Sequence, residues 1–103
     1  MPVPKRHPLV RADLQKAFDW YEEQEPGLGA RLEADFLETY QRLCAGPAHF
    51  AVRFSGIRRI NLAVFPYGIF YVLTDSEIRI LAVLHARRRH RRLPGGRRKF
   101  FNA

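Results

Sequence analysis

The stretch from Arg59 to His85, RINLAVFPYGIFYVLTDSEIRILAVLH, decides how the rest of the chain is read. Ile60, Leu62 and Val64 alternate with Arg59, Asn61 and Ala63, the two-residue period of a strand with one covered face. Pro66-Tyr67-Gly68 breaks that run before the aromatic and β-branched segment Ile69-Phe70-Tyr71-Val72-Leu73. Thr74-Asp75-Ser76-Glu77 then forms a second turn, and Ile78 to His85 is nearly continuous in apolar residues, as expected of a strand covered on much of both faces. Connections this short predict an antiparallel meander of three strands.

Upstream the period changes. Val10, Leu14, Ala17, Phe18 and Tyr21 recur at steps of three and four, and Leu32, Phe36, Tyr40 and Leu43 do the same after the break Glu25-Pro26-Gly27-Leu28-Gly29. A helical hairpin is predicted, ending near Ala45-Gly46-Pro47, where glycine can take a left-handed cap and proline cannot continue the helix. Val3 to Arg6 offers a fourth, weak strand that Pro2 and Pro4 confine to an edge, while His49 to Gly56 reads as irregular. The expected fold is α+β, with the hairpin packed on one face of a three- to four-stranded antiparallel sheet and a basic C-terminal tail.

The chain has 103 residues, enough for one domain spanning 1–103, and its 47% hydrophobic content excludes wholesale disorder. A single cysteine, Cys44, excludes an intrachain disulfide and a cysteine-based zinc cage, and reads as a buried small apolar side chain. With no apolar leader in MPVPKRHP and no run near ~20 apolar residues, the protein is expected to be soluble, free of membrane and in the reducing cytoplasm. His7, His49, His85 and His90 lack the spacing of metal ligands, so neither metal nor cofactor is expected.

The net charge of +8 is unevenly placed. Basic and acidic residues cancel through His85, and the excess lies in Arg87, Arg88, Arg89, Arg91, Arg92, Arg97, Arg98 and Lys99. A basic segment on a neutral body points to a polyanionic partner, nucleic acid or an acidic protein, or else to a solubilising tail. Gly95 and Gly96 are expected to break any helix there, and removal of the residues beyond Arg89 is expected to spare the fold, although Phe100-Phe101 can dock on the body.

Strand alternation gives the candidate site. If Ile78, Ile80, Ala82 and Leu84 meet the helices, Arg79 and His85 share the open face, with Tyr71 or Asn61 beside them in a polar groove. His85 is then a candidate general acid, Arg79 a phosphate clamp and Tyr71 a stacking or hydrogen-bonding group for metal-free RNA cleavage. No carboxylate is visibly placed as a base, and His85 reads first as an orienting or packing residue. Arg58 and Arg59 are candidates for binding a target together with Arg87, Arg88, Arg89, Arg91 and Arg92, but as neighbours on a strand they face opposite sides. Trp20-Tyr21 reads as core and hairpin contacts.

Several strings in this order resemble the RelE/ParE superfamily of toxins of type II toxin-antitoxin modules, over roughly residues 5 to 89. They are His7-Pro8, Trp20-Tyr21-Glu22-Glu23-Gln24 with Pro26-Gly27-Leu28-Gly29, Gly56-Ile57-Arg58-Arg59, Phe65-Pro66-Tyr67 with Tyr71, and Leu81 through Arg88. The resemblance is greatest to the ParE-like branch, often labelled plasmid stabilisation proteins. It implies a basic toxin that inhibits DNA gyrase and is neutralised by a cognate antitoxin. The RelE-like alternative is a ribosome-dependent mRNA endonuclease acting on the ribosome and mRNA, in which His85, Arg79 and Tyr71 would be catalytic. A third reading, a non-toxic nucleic-acid-binding adaptor, rests on the tail alone. The chain departs from the family pattern in its proline-bearing first strand and in the basic extension 89–103.

Overall fold

The computed structural model describes residues 2–87 and 92–102. Strand β1 (Val3–Arg6) leads into helix α1 (Val10–Gln24), which is followed by α2 (Leu28–Ala45) and a short 3-10 turn (Pro47–His49). Strands β2 (Val52–Phe54), β3 (Ile57–Asn61), β4 (Tyr67–Leu73) and β5 (Glu77–His85) follow, and α3 (Arg92–Arg97) with a 3-10 turn (Arg98–Asn102) ends the described chain.

The two helices arise from the apolar stripes and meet tightly at their turn. Gly27, at φ 92°, takes the left-handed conformation that lets the chain reverse. A Cβ on Gly29 would fall 2.8 Å from the Phe18 ring and from Glu22, so glycine is what allows α2 to approach α1. Glu22 occupies the positive start of α2, where its Oε1 accepts from the Gly27 and Gly29 amides at 2.9 Å each. At the other end Gly46 has φ −154°, so α2 stops without the expected left-handed cap.

The hairpin packs on one face of the sheet, as the apolar periodicities require, but the sheet has five strands in the order β1-β5-β4-β3-β2. The extra strand, β2, lies in the segment read as irregular. Ser55 and Gly56, at φ 48° and 77°, make a two-residue turn that pairs Phe54 with Ile57. β1 is the expected edge strand, but it runs parallel to β5, from Val3↔Glu77 to Arg6↔Ile80.

The β4–β5 ladder holds the main departure from simple alternation. Phe70 pairs with Ala82 and Tyr71 with Ile80, which leaves Leu81 as an extra residue on β5. Ile78 and Ile80 therefore face the helices before the bulge and Val83 does so after it, whereas Leu81 and Ala82 join Ile57, Phe70 and Val72 on the outer face. The expected all-apolar set is thus divided between the two faces.

The outer face is covered by the C-terminal segment. Gly95 and Gly96 lie inside α3, contrary to their expected helix-breaking role, in a helix of only six residues anchored by the fully buried Pro94. Phe101 packs against the outer cluster, and Phe100 meets the His7 ring edge-on at 5.1 Å.

β1 covers β5 only as far as Ile80, so the next backbone groups of β5 would be a bare edge. Asp13 of α1 and Arg97 of α3 fill it: the Val83 amide donates to Asp13 Oδ2 at 3.0 Å, and Arg97 Nη1 donates to the Leu81 carbonyl at 3.2 Å. The two side chains also bind each other through both guanidinium nitrogens, at 2.5 and 3.0 Å. Removal of the extension would uncover the outer cluster and undo this edge, which corrects the expectation that the fold is indifferent to it.

Candidate functional site

Packing α1 across the ends of β4 and β5 creates a groove of about 660 Å³. Its walls include Lys16, Trp20 and Tyr21 from α1, Tyr67 and His85 from the strands, and Arg97 from α3. The aromatic rings form a connected series: Trp20 meets Tyr21 at 4.9 Å, Tyr21 meets Tyr67 at 6.2 Å, and Tyr67 meets His85 at 5.5 Å, all edge-on. Burial raises the Tyr21 phenol above its ordinary range, with Tyr67 adding to the effect, so the hydroxyl stays protonated at neutral pH. His85 Nδ1 accepts from the Arg87 amide at 3.2 Å, which puts the proton of the neutral ring on Nε2. Trp20 is 55% exposed at the mouth of the groove, so it is surface rather than the expected core residue.

The three residues expected to share an open polar face are separated. His85 lies in the groove on the helix side. Arg79 lies on the outer face, with Nε bound to Glu77 at 2.8 Å and the guanidinium 5.9 Å from the Phe101 ring centre. Tyr71 is fully buried under the helices, and its hydroxyl donates to the Pro47 carbonyl at 2.5 Å. Burial pushes its phenol up to about 12, with the nearby Arg58 charge pulling partly the other way. The bulge at Leu81 is the physical reason, since it reverses facing between Arg79 and His85.

Arg58 and Arg59 do face opposite sides. Arg58 turns toward the helix side and donates to the Phe50 and Ala48 carbonyls at 2.6 and 3.2 Å, which ties down the turn between α2 and β2. Arg59 lies on the outer face, where Nη1 donates to the Ala86 carbonyl at 3.2 Å and the guanidinium stands 5.9 Å from the Phe70 ring centre. Burial lowers its pKa, with the neighbouring Arg53 charge contributing. Arg87 is exposed just beyond β5, Arg88, Arg89 and Arg91 lie outside the described residues, and Arg92 begins α3.

Two carboxylates with large structural roles were not singled out from the sequence. Asp13 completes the β5 edge, and buried Asp35 accepts from the Ala63, Val64 and Phe65 amides at 3.2, 2.9 and 2.9 Å, shaping the loop between β3 and β4. Both sit inside apolar helix stripes, Asp13 between Val10 and Ala17 and Asp35 between Leu32 and Thr39. That position was the available signal. Among the described residues, no three His, Cys, Asp or Glu side chains gather as a metal site, and no helix is long and apolar enough to cross a membrane.

This architecture has relatives. A solved structure titled "Chromosomal ParDE TA system from P. aeruginosa" superposes with a TM-score of 0.72 at 22% identity, covering 82% of this chain and 96% of that one. At that identity the likeness speaks for the fold. In sequence, the chain is 38% identical over 80 residues to Toxin ParE2 of Mycobacterium tuberculosis, in both strain CDC 1551 / Oshkosh and strain ATCC 25618 / H37Rv. The match covers 77% of this chain and 76% of the relative. Residues 5–90 match the sequence model of the family described as "ParE toxin of type II toxin-antitoxin system, parDE", a span that takes in both helices, nearly the whole sheet and most of the groove and stops short of α3. By sequence and by fold, the chain belongs to the ParE toxin family of type II toxin-antitoxin systems.

Proposed function

We propose that the protein arrests growth by binding DNA gyrase, rather than by cutting RNA, and that a cognate antitoxin holds it inactive. The observation that carries this reading is the separation of Tyr71, Arg79 and His85. Cleavage by the ribose 2′-hydroxyl needs a base, an acid and cations around one phosphate. Tyr71 is sealed beneath Pro47, Arg79 faces the opposite side of the sheet, and His85 stands alone of the three in the groove. A surface that binds a protein target has no such requirement. The exposed Trp20 beside Tyr21 and Tyr67 supplies the kind of aromatic anchor that dominates protein interfaces.

A second reading is favoured by one feature of the groove. His85 lies there with Tyr67 and Lys16, so acid and cation chemistry on RNA would be run from that wall. Expression in cells separates the two. Gyrase poisoning predicts growth arrest with broken chromosomal DNA and intact mRNA, relieved when the antitoxin encoded beside the gene is co-expressed. Codon-dependent mRNA cuts that vanish with His85→Ala would overturn the proposal in favour of the endonuclease.

A further inference from the structure

The outer face carries cations for which the groove gives no use. Arg59 is unusually constrained for a surface arginine. Its stem lies on the backbone of Gly68, where an added Cβ would fall 2.9 Å from Arg59 Cδ. The guanidinium is held between the Phe70 ring and the Ala86 carbonyl, and Nε is buried with no hydrogen-bond partner among the described residues. The bond to Ala86 brings Arg59 to the root of Arg87, which is exposed. On the other side, the exposed Arg53 lies on β2 next to β3, near enough for its charge to act on Arg59.

Three arginines, Arg53, Arg59 and Arg87, thus border the corner of the outer face where β5 ends, and among the described residues none of them pairs with a carboxylate. The two ion pairs among the described residues are Arg79 with Glu77 and Arg97 with Asp13, both elsewhere. Asp75 and Glu77 belong to the opposite end of the sheet, at the β4–β5 turn. Like charges kept together without counter-charges cost stability, which the fold tolerates here by fixing Arg59 through its stem and ring contacts.

We propose that Arg53, Arg59 and Arg87 form a docking surface for the phosphate backbone of duplex DNA. Arg59 holds its charge in place, with Nη1 bonded to Ala86 and Nε buried, while the exposed Arg53 and Arg87 supply free N–H donors for phosphate. The exposed aromatic rings lie elsewhere, Trp20 at the groove and Phe100 against His7, so the corner lacks the aromatic anchor that an interface with an acidic protein would need. Nothing in this arrangement reads bases, so binding is independent of sequence.

The test uses the full chain and a fluorescent duplex of arbitrary sequence, with binding measured by anisotropy over a range of salt. The double variant Arg53→Gln, Arg87→Gln removes two exposed charges that support no packing, and Arg31→Gln, Arg42→Gln removes two from the exposed side of α2 as the control for net charge. The first is expected to reduce the slope of log affinity against log salt by about 0.9 for each phosphate no longer neutralised, with an unchanged melting curve, and the second is expected to leave the slope as it is. Equal slopes in both variants, whether both changed or both unchanged, would overturn the proposal. So would a patch variant that loses affinity for polyglutamate while keeping it for the duplex, which would assign the corner to an acidic protein. None of these readouts involves gyrase, so the proposal and the gyrase reading fail separately.

Discussion

Arg97→Ala tests whether the extension beyond β5 is part of the fold. Asp13 and Arg97 are each about 10% exposed in their side chains, so water screens their attraction very little. In the variant, Asp13 keeps only the Val83 amide, and the Leu81 carbonyl loses its donor. Breaking a buried pair from one side costs about 3–5 kcal/mol, mainly through the charge left behind. The adjoining groove gives water a route to Asp13, so the lower end, about 3 kcal/mol, is expected for Arg97→Ala. Asp13→Ala should cost about 4 kcal/mol, because it leaves the Arg97 charge and the Val83 amide together without a partner. In a domain of this size 3 kcal/mol corresponds to roughly 12–24 °C in melting temperature. Urea denaturation compares these two variants with the double variant Asp13→Asn, Arg97→Met. The double variant should lose much less than the sum, since an amide still accepts from Val83 and no charge is stranded. Single losses below about 1 kcal/mol, the size of an exposed pair, or a double variant that loses the full sum would show that the Asp13–Arg97 pair does not hold the extension to the fold.

Asp35→Asn should destabilise the protein by about 2–3 kcal/mol in the same denaturation assay, because the amide turns an NH2 toward backbone donors that the carboxylate accepted, and only the buried Phe65 amide is out of reach of water. Tyr71→Phe should cost about 1–2 kcal/mol by stranding the Pro47 carbonyl, yet leave growth arrest intact in a plate assay. His7 accepts from the Leu9 amide through Nδ1, and burial, then the Arg97 charge, lower its pKa below the ordinary 6.5 against a smaller opposing effect of Asp13. Below pH 6.5 the unfolded chain therefore binds more protons at this site than the folded one. Its contribution is whole above that pH and fades as pH falls through the lower folded value, so melting temperatures of wild type and His7→Gln should converge from pH 7.5 toward 5.

The helices, the meander and the hairpin-on-sheet packing were legible because each rests on a repeated apolar period, which a single substitution cannot hide. What escaped depends on single residues. β2 is three residues long and exists through the left-handed pair Ser55-Gly56, which leaves no period to read. The bulge at Leu81 moves one residue out of register, and strict alternation then misplaces His85 relative to Arg79. Asp13 and Asp35 stand within apolar stripes, but what they bind shows only once the β5 edge and the β3–β4 loop supply their backbone donors. Arg97 and Arg98 read as part of a charged tail, although each is engaged by the body, Arg97 at Asp13 and Arg98 at the Ser55 carbonyl. Of the site itself, His85 and Arg59 were found by residue type. The groove around His85 became visible only once α1 was set against β4 and β5.

Action on gyrase by binding is tested in a purified supercoiling assay. Gyrase, relaxed plasmid and ATP are incubated with increasing amounts of the full chain, and a parallel reaction contains mRNA on programmed ribosomes. The plasmid is expected to stay relaxed and cleaved plasmid to accumulate, while the mRNA remains whole. Unimpeded supercoiling at concentrations that cut the mRNA would contradict action on gyrase.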